Sequence, residues 1–421
     1  LTARGSGNGD GGNAEISGKA VLDFRGKVDL TAERGAIGTL LLDPYNLTIY
    51  DGSSGGVTVP PTIAANGEGA YLSVSELQSA LANANVTVTT ASSAGTGSEE
   101  GNIVVAAPIS WSADTTLTLS AAANVIFNAS VTATGQSAGL VIQYGSGYDY
   151  IVNAPITLSG ANATLQIGAA GSLQNYTLIH SMADLDGIDS SGLSGRYALA
   201  QSLDASGTVY SNALVSGSFT GVFAGLGNTI SNLEIDAPSV DNVGLFAETA
   251  YSATVRDINL RNGSVVGQGS VGSLVGSSAG LVSNASTNLS VVGSNSFVGG
   301  LVGLNSGGGR GITDSYATGP VSGVDYVGGL AGNSQATITG SHATGAVNGR
   351  NYVGGLAGTS GDNVTLSYAT GSVVGSGDSV GGLIGLNGTL IQDSYASGSV
   401  TGAMRTGGLA GWNFGAITDS Y

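Results

Sequence analysis

The sequence contains no cysteine and only two histidines among its 421 residues. A chain without cysteine can form neither a disulfide framework nor a metal site with thiolate ligands. It is also typical of exported bacterial proteins that cross the periplasm unfolded, where disulfides would obstruct the passage. The two histidines, His180 and His342, lie far apart in the sequence, and neither belongs to an HExxH metalloprotease motif.

Charge of either sign is scarce, and basic charge is scarcest. Charged residues make up 9% of the chain, Lys and Arg total 11, and the net charge is −17. Nucleic acid is therefore not expected as a partner, because phosphate binding needs a basic surface. No run of 18 apolar residues occurs, so the sequence predicts no membrane-spanning helix.

Glycine and short apolar runs are abundant instead. The chain has 72 glycines without a Gly-X-Y period, which excludes collagen, and 41% of its residues are hydrophobic, which excludes a disordered linker. Ser, Thr, Asn and Gly separate short runs of Val, Ile and Leu. This pattern predicts many short strands joined by tight turns.

One five-residue motif recurs at intervals of about 26 residues. The sequence SYATG stands at 315–319 and 367–371, SHATG at 341–345 and SYASG at 394–398, and the chain ends on SY at 420–421. Because it starts with Leu1 and stops within a repeat, we expect it to be a fragment of a longer polypeptide.

Three apolar positions accompany each repeat and define the fold class. The first is Phe246, Leu274, Leu301, Leu330, Leu356, Leu383 and Leu409, the second is Ile312, Ile338, Val364, Ile391 and Ile417, and the third is Val321, Val347, Val373 and Val400. The segments are too short and too rich in glycine to be helices. Stacked coils of this length predict an all-β protein, a parallel, right-handed β-helix solenoid with about three short strands per coil.

The motif itself predicts an alternation of inward and outward side chains. Its Ser and Ala are small and nearly invariant, which suits a crowded interior, and strand alternation then places the residue between them outside. The sequence therefore predicts a surface ladder of Tyr316, His342, Tyr368 and Tyr395, which stabilises the stack or offers flat ring faces to sugars and partner proteins. We expect the Gly that follows (319, 345, 371, 398) to turn the corner with positive φ.

Asparagine recurs three or four residues after the leucine position. Asn305, Asn333, Asn387 and Asn413 are consistent with a ladder of stacked side-chain amides. The ordinary preference of Asn for turns explains the same pattern and stays open as the alternative.

The upstream half carries a looser repeat. Apolar residues recur at relative positions 0, 2 and 6 in Ile103/Val105/Ile109, Val125/Phe127/Val131 and Tyr150/Val152/Ile156, and Leu22/Phe24/Val28 follow the same register. We therefore predict β-helix coils over 1–175 with a short helical insertion at 73–83, a transition segment at 176–242 with a helical turn within 181–195, and repeat coils over 243–421.

Two segments resemble known families. The repeats over 219–421, such as VGGLAGNSQATITGSHATGAVNG, resemble the GLUG repeat of large bacterial surface proteins. The segment GTLLLDPYNLTI at 38–49 is similar to a motif of filamentous-haemagglutinin-like exoproteins of the two-partner secretion pathway. The resemblance implies a secreted or surface-displayed bacterial adhesin with a β-helical fold. It also implies export through a partner outer-membrane β-barrel transporter and an unidentified host, matrix or glycan ligand.

Catalysis is not expected. The densest acidic run, Asp184, Asp186 and Asp189, lacks the spacing of a calcium loop, and the Asp residues before Ser-Tyr (314, 393, 419) recur with the repeat as turn residues do. The sequence thus predicts no catalytic, cofactor-binding or metal-binding residue. A β-helical carbohydrate-active enzyme and a passive spacer stalk of a larger surface protein remain the alternatives to an adhesin.

Overall fold

The computed structural model describes residues 2–17, 28–43, 46–52, 70–90, 100–306, 308 and 310–421. It is a parallel β-solenoid, as predicted. The chain divides into two compact units, the first of residues 1–180 with 198–201 and the second of residues 181–197 with 202–421.

The strands of the first unit form three parallel sheets, and the three coils between Asn85 and Leu158 have one strand in each sheet. One sheet contains Ala14–Ser17, Thr39–Asp43, Asn85–Thr89, Thr116–Ser120, Gly139–Tyr144 and Thr164–Ala169, with Gln174–Ile179 added antiparallel. The second contains Leu47–Tyr50, Ala70–Ser73, Ile103–Val105, Val125–Phe127 and Tyr150–Val152, and the third contains Ile109–Trp111, Val131–Ala133 and Ile156–Leu158.

The register confirms the predicted upstream repeat. Ile103 pairs with Val125 and Val125 with Tyr150, while Val131 lies between Ile109 and Ile156. The residues at relative positions 0, 2 and 6 are buried in each of these three coils. Their even spacing places them on the same, inward side of the strands. Of the fourth predicted set, Val28 is buried, and Leu22 and Phe24 lie outside the described residues.

The predicted insertion is a helix at Val74–Leu81. Leu77 and Leu81 are buried beneath it. The Gln78 side-chain oxygen accepts hydrogen bonds from the Ser110 amide (2.7 Å) and hydroxyl (3.1 Å). The helix therefore packs on the coils beside it and covers part of their apolar interior.

The second unit begins with two short helices, Met182–Asp186 and Ile188–Ser191, within the segment where a helical turn was predicted. The strand Arg196–Leu199 follows. Four parallel sheets then run through the unit. Sheet 1 contains Val215–Phe219, Phe246–Thr249, Val275–Ser278, Val302–Asn305, Ala331–Ser334, Ala357–Ser360, Ile384–Asn387 and Ala410–Asn413. Sheet 2 contains Val222–Ala224, Thr254–Arg256, Leu281–Ser283, Ile312–Thr313, Ile338–Thr339, Val364–Thr365, Leu390–Gln392 and Ala416–Thr418.

Sheet 3 carries the repeated motif. It contains Leu203–Asp204, Val209–Tyr210, Thr229–Asp236, Asn259–Gly267, Ser286–Thr287, Ser290–Gly293, Tyr316–Ala317, Val321–Ser322, His342–Ala343, Val347–Gly349, Tyr368–Ala369, Val373–Gly375, Tyr395–Ala396 and Val400–Thr401. Sheet 4 contains Val298–Gly299, Asp325–Gly328, Asn351–Gly354, Asp378–Gly381 and Met404–Gly407. Five short strands occur in each of the five coils that begin with Val275–Ser278, Val302–Asn305, Ala331–Ser334, Ala357–Ser360 and Ile384–Asn387.

The predicted leucine column fills the interior of the second unit. Leu274, Leu301, Leu330, Leu356 and Leu383 have no exposed surface, and Leu409 in the last coil is half-buried. Phe246 is also buried but pairs with Val275, one position beyond the leucine column. The corner between Val243 and Phe246 is one residue shorter than the paired corner between Val271 and Val275, so Leu245 aligns with Leu274 instead.

The glycine that ends each motif (319, 345, 371, 398) does not have the positive φ that the sequence predicted. A Cβ atom at Gly345, Gly371 or Gly398 would lie 1.9 Å from the carbonyl oxygen of the equivalent glycine in the preceding coil. These glycines are therefore required by the close approach of two backbones rather than by backbone conformation.

Positive φ occurs instead at the residue before each Ser of the motif, which is Asp314, Gly340, Leu366, Asp393 or Asp419, and at the equivalent residues Asp257 and Asn284 of the two preceding coils. The φ angles at this corner lie between 48° and 60°. Asn, Asp and Gly adopt this left-handed conformation most readily, whereas Leu366 does so at a steric cost. Leu366 is also 62% exposed, so packing does not explain it.

Replacing Leu366 by asparagine is therefore expected to stabilise the second unit by about 1 kcal/mol, because it removes most of the left-handed strain of about 1–2 kcal/mol. Chemical denaturation of the two chains measures the difference. Leu366→Val, which keeps a branched side chain at the same φ, is the control and should destabilise; an unchanged or lowered stability for the asparagine variant contradicts the assignment of strain.

Among the described residues no helix is both long enough and apolar enough to cross a membrane.

Candidate functional site

The serines of the motif fix the orientation of sheet 3. Ser315, Ser341 and Ser367 are buried, and so are the alanines two residues later, which confirms the predicted inward positions. The Ser315 amide donates to Ser341 Oγ (3.2 Å), and Ser341 Oγ donates to the Thr339 carbonyl (2.9 Å). The same pair of bonds recurs at Ser341 to Ser367 and at Ser367 to Ser394. Each serine thus links two coils and satisfies its own buried hydroxyl.

The residue between Ser and Ala is half-buried and forms a column of stacked rings. The centroid separations are 4.8 Å for Tyr316–His342, 4.5 Å for His342–Tyr368 and 4.9 Å for Tyr368–Tyr395, each with an interplanar angle of 6°. Tyr421 continues the column at 5.5 Å and 13°. We call these five residues the aromatic column.

Arg261 lies at one end of the aromatic column. Its Nη2 atom donates to Tyr316 Oη (3.2 Å) and to Ser286 Oγ (2.7 Å), and its Cζ atom is 5.9 Å from the Tyr316 ring centroid. The guanidinium therefore covers the outer face of the first ring, which no other ring covers. Sequence reasoning missed Arg261, because it lies upstream of the repeated motif.

The stacking changes what the column can present to a ligand. The rings of His342, Tyr368 and Tyr395 each have a parallel ring on both faces. The expected flat faces for sugar stacking are therefore already occupied within the column. A ligand meets the ring edges, which carry partial positive charge, and the tyrosine hydroxyls.

Burial between two tyrosine rings lowers the pKa of His342 below its ordinary value of 6.5. The unfolded chain consequently takes up a proton at this histidine at higher pH than the folded chain does. Stability is full above the unfolded pKa and declines as pH falls through it toward the folded pKa.

We therefore expect the melting temperature of the chain to fall between about pH 7.5 and pH 5.5, and His342→Tyr to remove most of that decline. Tyrosine occupies the same position in the neighbouring coils, so the variant keeps the stack. Tyr368→His is the reciprocal variant and should steepen the decline. A wild-type pH dependence that persists in His342→Tyr contradicts the prediction.

The predicted asparagine ladder exists only in part. Asn387 Nδ2 donates to Asn413 Oδ1 (2.7 Å), and Asn305 Nδ2 donates to Ser334 Oγ (2.8 Å). Asn333 does not belong to this column, since it pairs with Leu304, points the other way and accepts a hydrogen bond from Gln335. The column thus mixes Ser and Asn, in the order Ser278, Asn305, Ser334, Ser360, Asn387 and Asn413. Its members before Asn413 are buried, so these side chains hold coils together inside the solenoid rather than forming a surface.

A second aromatic column, which sequence reasoning missed, lies on sheet 4. The rings of Phe297 and Tyr326 are 5.1 Å apart and those of Tyr326 and Tyr352 are 4.8 Å apart. All three residues have positive φ. The signal was present in the sequence, because each stands four residues before a leucine of the interior column.

Ion pairs flank this second column. Arg350 donates to both carboxylate oxygens of Asp325 (3.0 and 2.6 Å), and Arg405 pairs in the same way with Asp378. The hydrogen bond from Arg350 is the main cause that lowers the pKa of Asp325, and the Asn351 side chain adds to it. Sheet 4 is therefore a charged surface, whereas the strands of the motif on sheet 3 are not.

The acidic run at the start of the second unit is structural. Asp189 accepts hydrogen bonds from the Ser216 amide (2.9 Å), the Ser216 hydroxyl (2.6 Å) and the Gly217 amide (3.0 Å). Burial raises its pKa, but these hydrogen bonds outweigh burial and leave the pKa lowered. Asp189 thus anchors the first strand of sheet 1. Across the described part of the chain, no three His, Cys, Asp or Glu side chains are grouped so that they could hold a metal ion.

Three comparisons relate the chain to known proteins. Residues 376–401 match the family model of the GLUG motif. Over 140 residues, or 30% of the chain, the sequence is 39% identical to Halomucin of Haloquadratum walsbyi, and the match spans 2% of that protein's length. Among solved structures, a putative immunoglobulin A1 protease from Bacteroides ovatus is similar over 58% of this chain and 84% of its own, with 19% identity and a TM-score of 0.46.

Proposed function

We propose that the chain is part of a secreted or surface-displayed adhesin, in which the solenoid is the structural element and sheet 3 of the second unit is the binding surface. The aromatic column is the observation that carries the proposal. It places tyrosine hydroxyls and ring edges at regular intervals on an uncharged surface of an acidic protein. Tyrosine is enriched at binding surfaces, because it combines apolar area with a hydroxyl.

The GLUG match and the partial similarity to Halomucin, whose name denotes a mucin, support a place outside the cell. The further details follow the resemblance of residues 38–49 to filamentous-haemagglutinin-like exoproteins: export through a partner outer-membrane β-barrel transporter and attachment to cells, matrix or surfaces. Secretion of the protein by cells with and without such a transporter tests the export route separately.

Replacing Tyr368 and Tyr395 together by serine is expected to abolish most attachment of the purified chain to cells or to a glycan array. The melting temperature should fall modestly, because the three stacked pairs that involve these two rings are lost. The control is Tyr326→Ser with Tyr352→Ser, which removes two stacked tyrosines from sheet 4 and should leave attachment unchanged.

Three other outcomes are distinguishable. Retained attachment with a lowered melting temperature assigns the aromatic column a purely structural role and contradicts the proposal. Equal loss in both double variants places binding elsewhere. The absence of attachment by the unmodified chain supports a passive spacer.

A further inference from the structure

Beyond Arg261 at its end, the surface beside the aromatic column is rich in hydroxyl groups and lacks charged residues at its outward positions. Residues 315–322, 341–348 and 367–374 alternate strictly between inward, buried positions and outward positions, and residues 394–401 follow the same register in the last coils. Each of these four rows has four outward positions. None of the sixteen is Asp, Glu, Lys or Arg, and eleven are Ser, Thr or Tyr. We call this surface the hydroxyl face.

The outward hydroxyls of the hydroxyl face are available to a ligand. Within the described part of the chain, Thr344, Thr370 and Ser372 are exposed and make no side-chain hydrogen bond to the protein. The inward serines differ, since Ser341 and Ser367 both donate and accept hydrogen bonds. Only the outward set therefore has unused donors and acceptors.

The hydroxyl face is extended along the stacking direction. The half-buried rings of the aromatic column border the exposed Thr and Ser side chains along one side. Equivalent groups repeat once per coil, at the 4.5 to 4.9 Å that separates successive rings. A ligand that uses every row must therefore be extended, lie parallel to the stacking direction and repeat at about the strand spacing.

We propose that the hydroxyl face binds a neutral, extended polysaccharide, with about one sugar unit for each coil. The proposal rests on the proposed function and names its ligand class. Sugar hydroxyls can donate to and accept from the Thr and Ser hydroxyls, and the C–H groups of the sugar can pack against the exposed parts of the ring edges.

Charge selects among the polymers that could lie there. The chain carries a net charge of −17, and the sixteen outward positions of the hydroxyl face include no basic residue. Arg261 contacts the face only at its end, where its guanidinium is already bonded to Tyr316 and Ser286. An anionic polysaccharide would therefore be repelled without a compensating ion pair, whereas a neutral one is not. A second copy of this chain could also cover an uncharged face, and sedimentation velocity distinguishes that case from polysaccharide binding.

Titration calorimetry of the 421-residue chain with neutral β-1,4-linked oligomers of glucose, mannose or xylose, two to six sugars long, tests the proposal. At least one series is expected to bind, with affinity rising up to about four sugars, one for each row. Carboxymethylated cellulose oligomers, which are anionic, should bind more weakly than the matching neutral series.

The decisive variant is Thr344→Val with Thr370→Val, which removes two hydroxyls and keeps the shape of the face. Affinity should fall about tenfold, as expected for the loss of two hydrogen bonds, without loss of melting temperature. Thr339→Val with Thr365→Val, on sheet 2, makes the same chemical change elsewhere and should leave affinity unchanged.

No binding in any neutral series, stronger binding of the anionic oligomers, or equal affinity in both valine variants overturns the proposal. A dimer in sedimentation velocity that the Thr344/Thr370 variant abolishes, without any oligosaccharide binding, assigns the face to self-association instead. Attachment to cells that depends on Tyr368 and Tyr395 would still support the proposed adhesin in each of these cases.

Discussion

Replacing Leu356 by alanine is expected to lower the free energy of unfolding of the second unit by about 2–5 kcal/mol. Leu356 has no exposed surface, and its neighbours in the column, Leu330 and Leu383, are equally buried. The substitution therefore leaves a cavity inside a stack whose coils contact only their neighbours, so the loss is not relieved by rearrangement elsewhere.

Leu366→Ala in the next corner is the matched control for this prediction. Leu366 is 62% exposed, so the same loss of atoms should change stability by less than about 0.5 kcal/mol. Denaturant unfolding of the two variants beside the unmodified chain measures both values. A small effect at Leu356, or equal effects at both positions, would mean that the leucine column is not the core.

Replacing Gly371 by alanine should destabilise the second unit by about 3 kcal/mol or more, at or above the upper end of ordinary overpacking. The added Cβ atom would lie 1.9 Å from the Gly345 carbonyl oxygen. Both groups belong to paired backbone segments, so neither can move aside without breaking the hydrogen bonds between two coils.

Gly308 provides the control for the glycine prediction, because a Cβ atom there meets nothing within 4 Å. Gly308→Ala should be tolerated, and thermal unfolding followed by circular dichroism compares the two. If Gly371→Ala has the same melting temperature as the unmodified chain, the coils are farther apart than the structure places them.

The period of the sequence was sufficient to predict the solenoid fold, the interior leucine column and the inward serines of the motif. A stack in which each coil pairs with its neighbour repeats its buried positions at the same interval, so Leu330, Leu356 and Leu383 could be assigned to the interior from spacing alone. The same logic applied to Ser341 and Ser367, whose small size and constancy indicated a crowded interior.

Details that depend on single residues were not predictable to the same degree. Asn333 stands three residues after its leucine, whereas Asn305, Asn387 and Asn413 stand four after theirs. Because strand side chains alternate, an offset of one residue turns Asn333 to the opposite face. The offset is visible in the sequence and would have excluded Asn333 from the predicted asparagine ladder.

Backbone conformation at the corners was the least accessible feature. Glycine was the natural candidate for positive φ, yet Tyr326, Tyr352 and Leu366 adopt it while Gly345 and Gly371 do not. Large side chains rarely adopt left-handed φ, so their sequence gives no local signal for it. The coil geometry imposes that conformation through pairing with the neighbouring coils, which only the three-dimensional structure displays.

Solvent protection of one site on the hydroxyl face tests most directly whether binding takes place there. Since the chain lacks cysteine, Ser372→Cys and Ser252→Cys each give a single position for a fluorescent label. Ser372 lies on the hydroxyl face, and Ser252 lies in an exposed turn after the strand Phe246–Thr249. When the chain is attached to cells, the label at 372 should be shielded from iodide quenching and the label at 252 should stay accessible. Shielding at 252 with full quenching at 372 would contradict the assignment of sheet 3 as the binding surface.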